Sequence, residues 1–245
     1  MKKIVIQQGG TPANGYRIRV DLLPVLTKSG VSRGERRIAS TLLKERQNDV
    51  ASWLKLELLL YENFCLDDWL VELTYREEDL PPSWQAAKKN PPAFLRKIRE
   101  ARKIDDLPYG YIYVHEGLHG DHRKHHHLVI KSADGNKDLI DCAWRRGFVN
   151  IDTIRDFGGF HKVATYITKE PREKGKPVIG ERMWTPSKGL KKPDRHEIIV
   201  EDNYIFHVPP DMRPIDDGLS IESKVPGWLY GEFPRWDMIG QNPIT

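Results

Sequence analysis

Three consecutive histidines, His125-His126-His127, run straight into Leu128-Val129-Ile130, and this junction constrains the fold more than any other stretch of the chain. A short run that ends in apolar and β-branched residues reads as a strand. Side chains alternate along a strand, so His125 and His127 share a face, about 7 Å apart at Cα, while His126 faces the other way. Leu128 and Ile130 lie on that other face, where they can pack against helices. Upstream, Tyr109 to Glu116 has strand character, and Gly117-Leu118-His119-Gly120-Asp121 begins a turn, so the two segments should pair as a hairpin.

Six of the nine histidines fall between His115 and His127. A cluster of this density points to a metal site. Two imidazoles on one strand face can converge on one cation, and a carboxylate partner extends the range to Mn²⁺ or Mg²⁺. Glu116, just across the turn, is the natural third ligand, with His115 as its rival, because neighbouring strand positions look to opposite sides. A closed zinc site would want four ligands, often cysteines, and neither Cys65 nor Cys142 is spaced for one. An open site with positions left for substrate oxygens fits better. The plainer readings are an exposed basic hairpin or an expression tag; the tag fails because the run is internal and in phase with a strand.

At 245 residues, 39% hydrophobic and 30% charged, the chain has ordinary globular composition, enough for one good-sized domain with appendages or for two small ones. No run approaches the eighteen or so apolar residues of a membrane span, so no membrane role is expected. Met1-Lys2-Lys3 followed by three apolar residues is too short for a signal peptide, and two cysteines read as free thiols in a reducing compartment. The expected location is the cytoplasm of a bacterial host cell. The net charge of +4 is unevenly spread: residues 161–195 carry ten Lys/Arg against four Asp/Glu, residues 88–103 seven against one, and the tail after Pro210 is acidic. Basic blocks in a nearly balanced protein suggest an anionic partner at defined faces, against the alternative of solvated helix faces.

The order of elements follows from patterning. Ile4-Val5-Ile6, Gly9-Gly10, Asn14-Gly15 and Tyr16 to Val20 suggest a hairpin. Ser32 and Glu35 stand three apart as in a capping box, and Ile38, Leu42, Leu43, Val50, Leu54 and Leu58 continue at helical spacing to a stop near Asn63. Asp68 to Tyr75 is a strand with Trp69, Val71, Leu73 and Tyr75 on one face. Pro91-Pro92 open a basic helix running to about Lys103. The hairpin follows, then a helix over Lys137–Arg146, a strand over Phe148–Ile151 and a helix over Gly159–Glu170, with a further strand over His196–Val200. The order β-α-β-β-α-β predicts an α+β, ferredoxin-like antiparallel sheet flanked by helices. Three regions are expected: an N-terminal hairpin and long helix over 1–63, the sheet domain over 64–200, and an irregular C-terminal arm over 201–245.

The helix after Gly158-Gly159 carries a second candidate. Lys162, Tyr166 and Lys169 are spaced to share one face. A tyrosine is a weak nucleophile at neutral pH, its reference pKa being roughly 10, but nearby ammonium groups favour the phenolate and a metal can polarise the phosphate it attacks. Alone, such a tyrosine reads as an amphipathic core residue.

Together, Leu73-Thr74-Tyr75 on a strand, Glu116 with His125-His126-His127 on a hairpin, and Tyr166-Ile167-Thr168-Lys169-Glu170 on a helix resemble the rolling-circle replication initiators of the HUH endonuclease superfamily. The likeness is to the replication-associated proteins of single-stranded-DNA phages, prophages and plasmids. It spans roughly Ser32 to Pro193 and takes in Asn63-Phe64, Leu80-Pro81, Trp144 with Gly147, and Ser187 to Pro193. One departure is His126, where the family pattern has an apolar residue.

The resemblance implies His125, His127 and Glu116 as ligands of Mn²⁺ or Mg²⁺, Tyr166 as the single nucleophile and Lys169 as its basic helper. It also implies nicking of single-stranded DNA at an origin, with a 5′-phosphotyrosine adduct and a free 3′-hydroxyl for a host polymerase. Tyr75, Lys162, Trp184, Lys188, Lys191 and Lys192 are the expected DNA contacts. A helicase would be supplied by the host, since the chain has no Walker-type phosphate loop. A relaxase or transposase would use the same chemistry, and a non-catalytic nucleic-acid-binding regulator is the alternative from another class.

Overall fold

The computed structural model describes residues 1–24, 42–120, 123–133, 136–174, 182–203, 213–214 and 220–223. The chain divides into two compact units, one of Met1–Thr41, Glu57–Asn63 and Lys191–Thr245, the other of Leu42–Leu56 and Phe64–Leu190.

The first unit begins with the expected hairpin, β1 (Lys2–Thr11) and β2 (Gly15–Pro24), joined through Asn14-Gly15. Helix α1 (Leu42–Asn63) contributes its last seven residues to this unit. Ile4, Val5, Ile6 and Ile18 are buried, as are Leu58, Leu59 and Leu60. Arg17 and Glu57 form a buried ion pair, with the guanidinium 5.3 Å from the centre of the Tyr61 ring. Gly9 is required by close approach: a Cβ there would lie 2.0 Å from the Leu58 carbonyl oxygen.

The second unit holds the predicted order of elements. Strand β3 (Trp69–Leu73) is followed by α2 (Trp84–Ala87), α3 (Asn90–Ile104), the hairpin β4 (Tyr111–Glu116) and β5 (His125–Ile130), α4 (Lys137–Trp144) and β6 (Val149–Thr153). The strands lie in the order β6-β3-β5-β4, every neighbour antiparallel, which is the split βαβ arrangement expected. After β6 come α5 (Ile154–Phe157), α6 (Phe160–Ile167), α7 (Lys169–Lys174) and β7 (Thr185–Pro186), which adds an edge to β4.

One face of the sheet is closed by α3 and α4. Trp69, Val71, Leu73, Leu128 and Ile130 pack with Phe94, Leu95 and Ile98 of α3 and Ile140, Ala143 and Trp144 of α4. Burying each aliphatic side chain contributes about 1.5–3 kcal/mol. Helix α3 starts on Pro91, whose missing N–H would be an orphan at that position anyway, and ends with Arg102 and Lys103 against the negative end of the helix dipole. The Asn136 side chain caps α4 by accepting from the Leu139 N–H at 3.2 Å. Beyond Leu73 the chain stays tied to β6: the Thr74 N–H and hydroxyl donate to the Phe148 carbonyl, and the Trp144 indole donates to that of Thr74 at 2.7 Å. Gly147 permits this, since a Cβ there would lie 2.1 Å from the Thr74 oxygen.

Several expectations need correction. The helix read over Gly159–Glu170 is two: α6 stops at Ile167, Thr168 turns out of helical geometry at φ −109°, and its hydroxyl donates back to the Ala164 carbonyl at 2.6 Å. The strand read over His196–Val200 is β8 (Asp194–Val200), but it pairs with β1, so it groups with the N-terminal hairpin and not with residues 64–190. The first fifteen residues of α1 group with the second unit, contrary to a boundary at residue 63. In the arm after 201, β9 (Arg213–Pro214) and β10 (Ser220–Ser223) extend the sheet β8-β1-β2-β10-β9. Ser32, Glu35 and Ile38 lie outside the described residues. No helix among the described residues is long and apolar enough to cross a membrane.

Candidate metal centre and nucleophile

Register decides which side chains meet. Glu72 of β3 stands opposite His127, Glu116 of β4 opposite His125, and His115 opposite His126. Glu72, Glu116, His125 and His127 therefore share one face of the sheet, and His115 and His126 the other. This removes the rivalry between Glu116 and His115 on geometric grounds.

On the first face the polar atoms converge. Glu116 Oε2 lies 2.6 Å from His127 Nε2 and 3.2 Å from His125 Nε2, and its other oxygen is 3.1 Å from Lys169 Nζ. Donor atoms of Glu72, His125 and His127 all lie within 4.8 Å of one another. Burial would raise the Glu116 pKa, but hydrogen bonds from His125, His127 and Lys169 hold the carboxyl well below the usual range. For His125 burial works downward and is outweighed by the Glu116 hydrogen bond and the Arg123 carbonyl, so its pKa is raised.

The donor set suits a divalent cation. It offers two imidazoles and two carboxylates with no thiolate, the combination that favours Mn²⁺ or Mg²⁺ over a structural zinc. His125 Nδ1–H donates to the Arg123 carbonyl at 2.8 Å, the backing that orients a ligating imidazole through its other nitrogen. A cleft of about 350 Å³ opens over the group, lined by Glu72, Glu116 and His125 together with Thr74, Arg123, Lys124 and Lys169.

Tyr166, on α6, lies against this centre. Its ring is 5.0 Å from that of His127 and 4.9 Å from that of Phe157, with Lys169 Nζ 4.7 Å from its centre. Two glycines set the helix there: Gly158 ends α5 at φ +106° and Gly159 begins α6 at φ +94°, in the left-handed region where other residues are strained. Lys162 folds back beside Gly158. Burial raises the Tyr166 pKa; Lys169 opposes this, but Glu72, Glu116 and Asp152 add to it. The expectation that neighbouring ammonium groups would leave a phenolate is thus reversed in the metal-free site.

The other face holds a buried polar chain. The Asn90 amide donates to the Tyr75 hydroxyl at 2.9 Å, that hydroxyl lies 2.7 Å from His126 Nε2, and His126 Nδ1 lies 2.8 Å from His115 Nδ1. Burial and then the charges of its histidine neighbours push the His126 pKa well below its ordinary value. Tyr75, expected to stack on a base, is 2% exposed and belongs to this chain and the core, which corrects that assignment.

Of the other expected DNA contacts, Trp184 is half-buried, with its indole N–H donating to the Ser52 carbonyl at 3.1 Å. Lys188, Lys191 and Lys192 are exposed, and Lys191 pairs with Glu62 at 2.5 Å. Glu72 was not anticipated. Its signal was a lone carboxylate interrupting Trp69-Leu70-Val71 and Leu73, on the strand face opposite the apolar set.

Residues 68–171 match the family model for the replication-associated protein of the ORF2 type. This segment is a replication-associated domain of that family. Comparison with curated proteins and with solved structures gives no match. The replication-associated segment runs from Asp68 to the start of α7, and so contains Glu72, Glu116, both inward-facing histidines, Tyr166 and Lys169. Asp68 itself ties the start of β3 to the end of β5, accepting from the Ser132 N–H at 2.8 Å.

Proposed function

We propose that the protein initiates rolling-circle replication by nicking single-stranded DNA at an origin through Tyr166. The observation that carries this reading is the convergence of Glu72, Glu116, His125 and His127 under one cleft, with the Tyr166 ring 5.0 Å from that of His127. The replication-associated family of residues 68–171 supports it.

The phenolic oxygen of Tyr166 attacks the scissile phosphorus. A new O–P bond forms as the bond to the 3′ oxygen breaks, leaving a 5′-phosphotyrosine and a free 3′-hydroxyl for polymerase extension. The proton lost by Tyr166 is matched by the one gained at the 3′ oxygen. Because burial keeps the phenol protonated, deprotonation accompanies attack, and the Lys169 ammonium beside the ring favours the charge that develops. A divalent cation held by His125, His127, Glu116 and Glu72 would supply Lewis-acid polarisation of a non-bridging phosphate oxygen. Arg123, Lys124 and Lys169 line the same cleft and suit an anionic backbone. Resealing is the reverse step, attack of a 3′-hydroxyl on the tyrosyl ester.

The test incubates wild-type protein and Tyr166→Phe with single-stranded DNA of the source replicon and Mn²⁺, followed by mass spectrometry of tryptic peptides. The expected result is a nucleotide adduct on the Tyr166 peptide in the wild type and none in the variant. An adduct on another residue, or one that persists in Tyr166→Phe, refutes the assignment. Cleavage retained by His127→Ala would overturn the metal role.

A further inference from the structure

A second cleft in the same unit, of about 500 Å³, lies between the first half of α1 and the segment entering β7. Its volume falls in the range of small-ligand sites. The indole of Trp184 forms one wall and is fixed by its hydrogen bond to the Ser52 carbonyl. Met183, also lining the cleft, is buried, while Asn48, Lys55 and Arg182 are exposed around it. An immobilised aromatic face, an amide and two cations match the chemistry of single-stranded nucleic acid, in which bases stack and phosphates seek positive charge.

The cleft is held close to the nicking centre by strand pairing. Thr185 stands opposite Tyr113 and Pro186 opposite Ile112. Because β7 and β4 are antiparallel, Trp184 lies one residue nearer the Glu116 end of β4. Two residues of strand rise and one interstrand step separate the backbones of Trp184 and Glu116, roughly 8 Å. Trp53, next to Ser52 on α1, also meets His161 of α6 edge-on at 5.7 Å, so the cleft is tied to the helix of Tyr166 as well.

We propose that this cleft seats an unpaired nucleobase flanking the bond cut by Tyr166. Trp184 stacks on the base, the Asn48 amide meets its hydrogen-bonding edge, and Lys55 and Arg182 hold the neighbouring phosphates. The position relative to the cut rests on the nicking reading; the ligand class does not, and binding can be measured without cleavage.

Fluorescence anisotropy of a 5′-fluorescein 20-mer of random single-stranded sequence, in metal-free buffer, reads the site directly. Trp184→Ala is expected to weaken binding by about 5- to 150-fold, the range for loss of one stacked base, and Trp184→Phe to stay within about threefold of wild type. Lys55→Glu, a change at an exposed position, should weaken binding and lower the slope of log K against log salt by about one. Wild-type binding by both Trp184→Ala and Lys55→Glu overturns the proposal. With Mn²⁺ and a randomised 40-mer library, sequencing of DNA captured on the wild-type protein should show a base preference beside the tyrosyl link that Trp184→Ala flattens. Capture with the preference intact in Trp184→Ala overturns the placement beside the cut while nicking stands. Weakened binding by Trp184→Ala with no capture by any form leaves the base site supported and refutes nicking.

Discussion

The buried chain Asn90–Tyr75–His126–His115 allows a quantitative test. The Asn90 amide nitrogen can only donate, so the Tyr75 hydroxyl must direct its proton to His126 Nε2. His126 then carries its own proton on Nδ1 and donates to His115 Nδ1. Tyr75→Phe keeps the ring in the core but leaves the Nε2 acceptor of a wholly buried imidazole without its donor. An unsatisfied buried acceptor costs about 1–3 kcal/mol. Taking about 2 kcal/mol, and about 2–4 °C per kcal/mol for a chain of this size, the melting temperature should fall by roughly 4–8 °C. His126→Leu places an apolar side chain at the same position, and the double variant removes donor and acceptor together. The double variant should therefore be less destabilised than the sum of the singles by about 1 kcal/mol or more. Denaturant unfolding followed by near-ultraviolet circular dichroism measures all four corners of the cycle. Additivity to within about 0.3 kcal/mol, or a Tyr75→Phe loss under about 0.5 kcal/mol, would refute the chain as drawn. The pH dependence supplies a second check. The folded pKa of His126 is depressed, so below about pH 6.5 the unfolded state binds the proton that the folded state rejects. Its contribution is present above that pH and lost on acidification, with a limiting slope of about 1.4 kcal/mol per pH unit; His126→Leu should lose that slope.

Three further outcomes follow from the same geometry. Glu72→Ala should reduce Mn²⁺-dependent adduct formation by about tenfold or more while leaving the fold intact by circular dichroism; undiminished activity would remove Glu72 from the centre. Gly147→Ala should lower stability by about 2 kcal/mol or more, since its Cβ would lie 2.1 Å from the Thr74 oxygen, and a change under about 0.5 kcal/mol in denaturant unfolding would contradict this contact. Mn²⁺ at a hundred times its dissociation constant should stabilise the wild type by about 2.7 kcal/mol in thermal unfolding, and His127→Ala should abolish most of that shift.

The local chemistry of this protein is legible one residue at a time. Strand alternation separates His126 from His125 and His127, and the turn after Glu116 determines that β4 and β5 form a hairpin. The order of elements predicts the antiparallel sheet observed, because short connections and alternating patterns leave few arrangements. The irregularities were not legible. A break at Thr168 depends on a hydroxyl that returns to the Ala164 carbonyl, and helical spacing runs through it without interruption.

What the sequence determined by itself is therefore which side chains share a strand or a turn. What only the tertiary structure decided is which strands lie side by side and in what register. Glu72 enters the centre because β3 lies against β5 with Glu72 opposite His127, a pairing between residues more than fifty positions apart. Tyr75 leaves the list of DNA contacts because the same register sets its end of the sheet against His126 and the core. Periodicity reports the face on which a side chain lies. The partner across that face is chosen by the packing of the whole sheet.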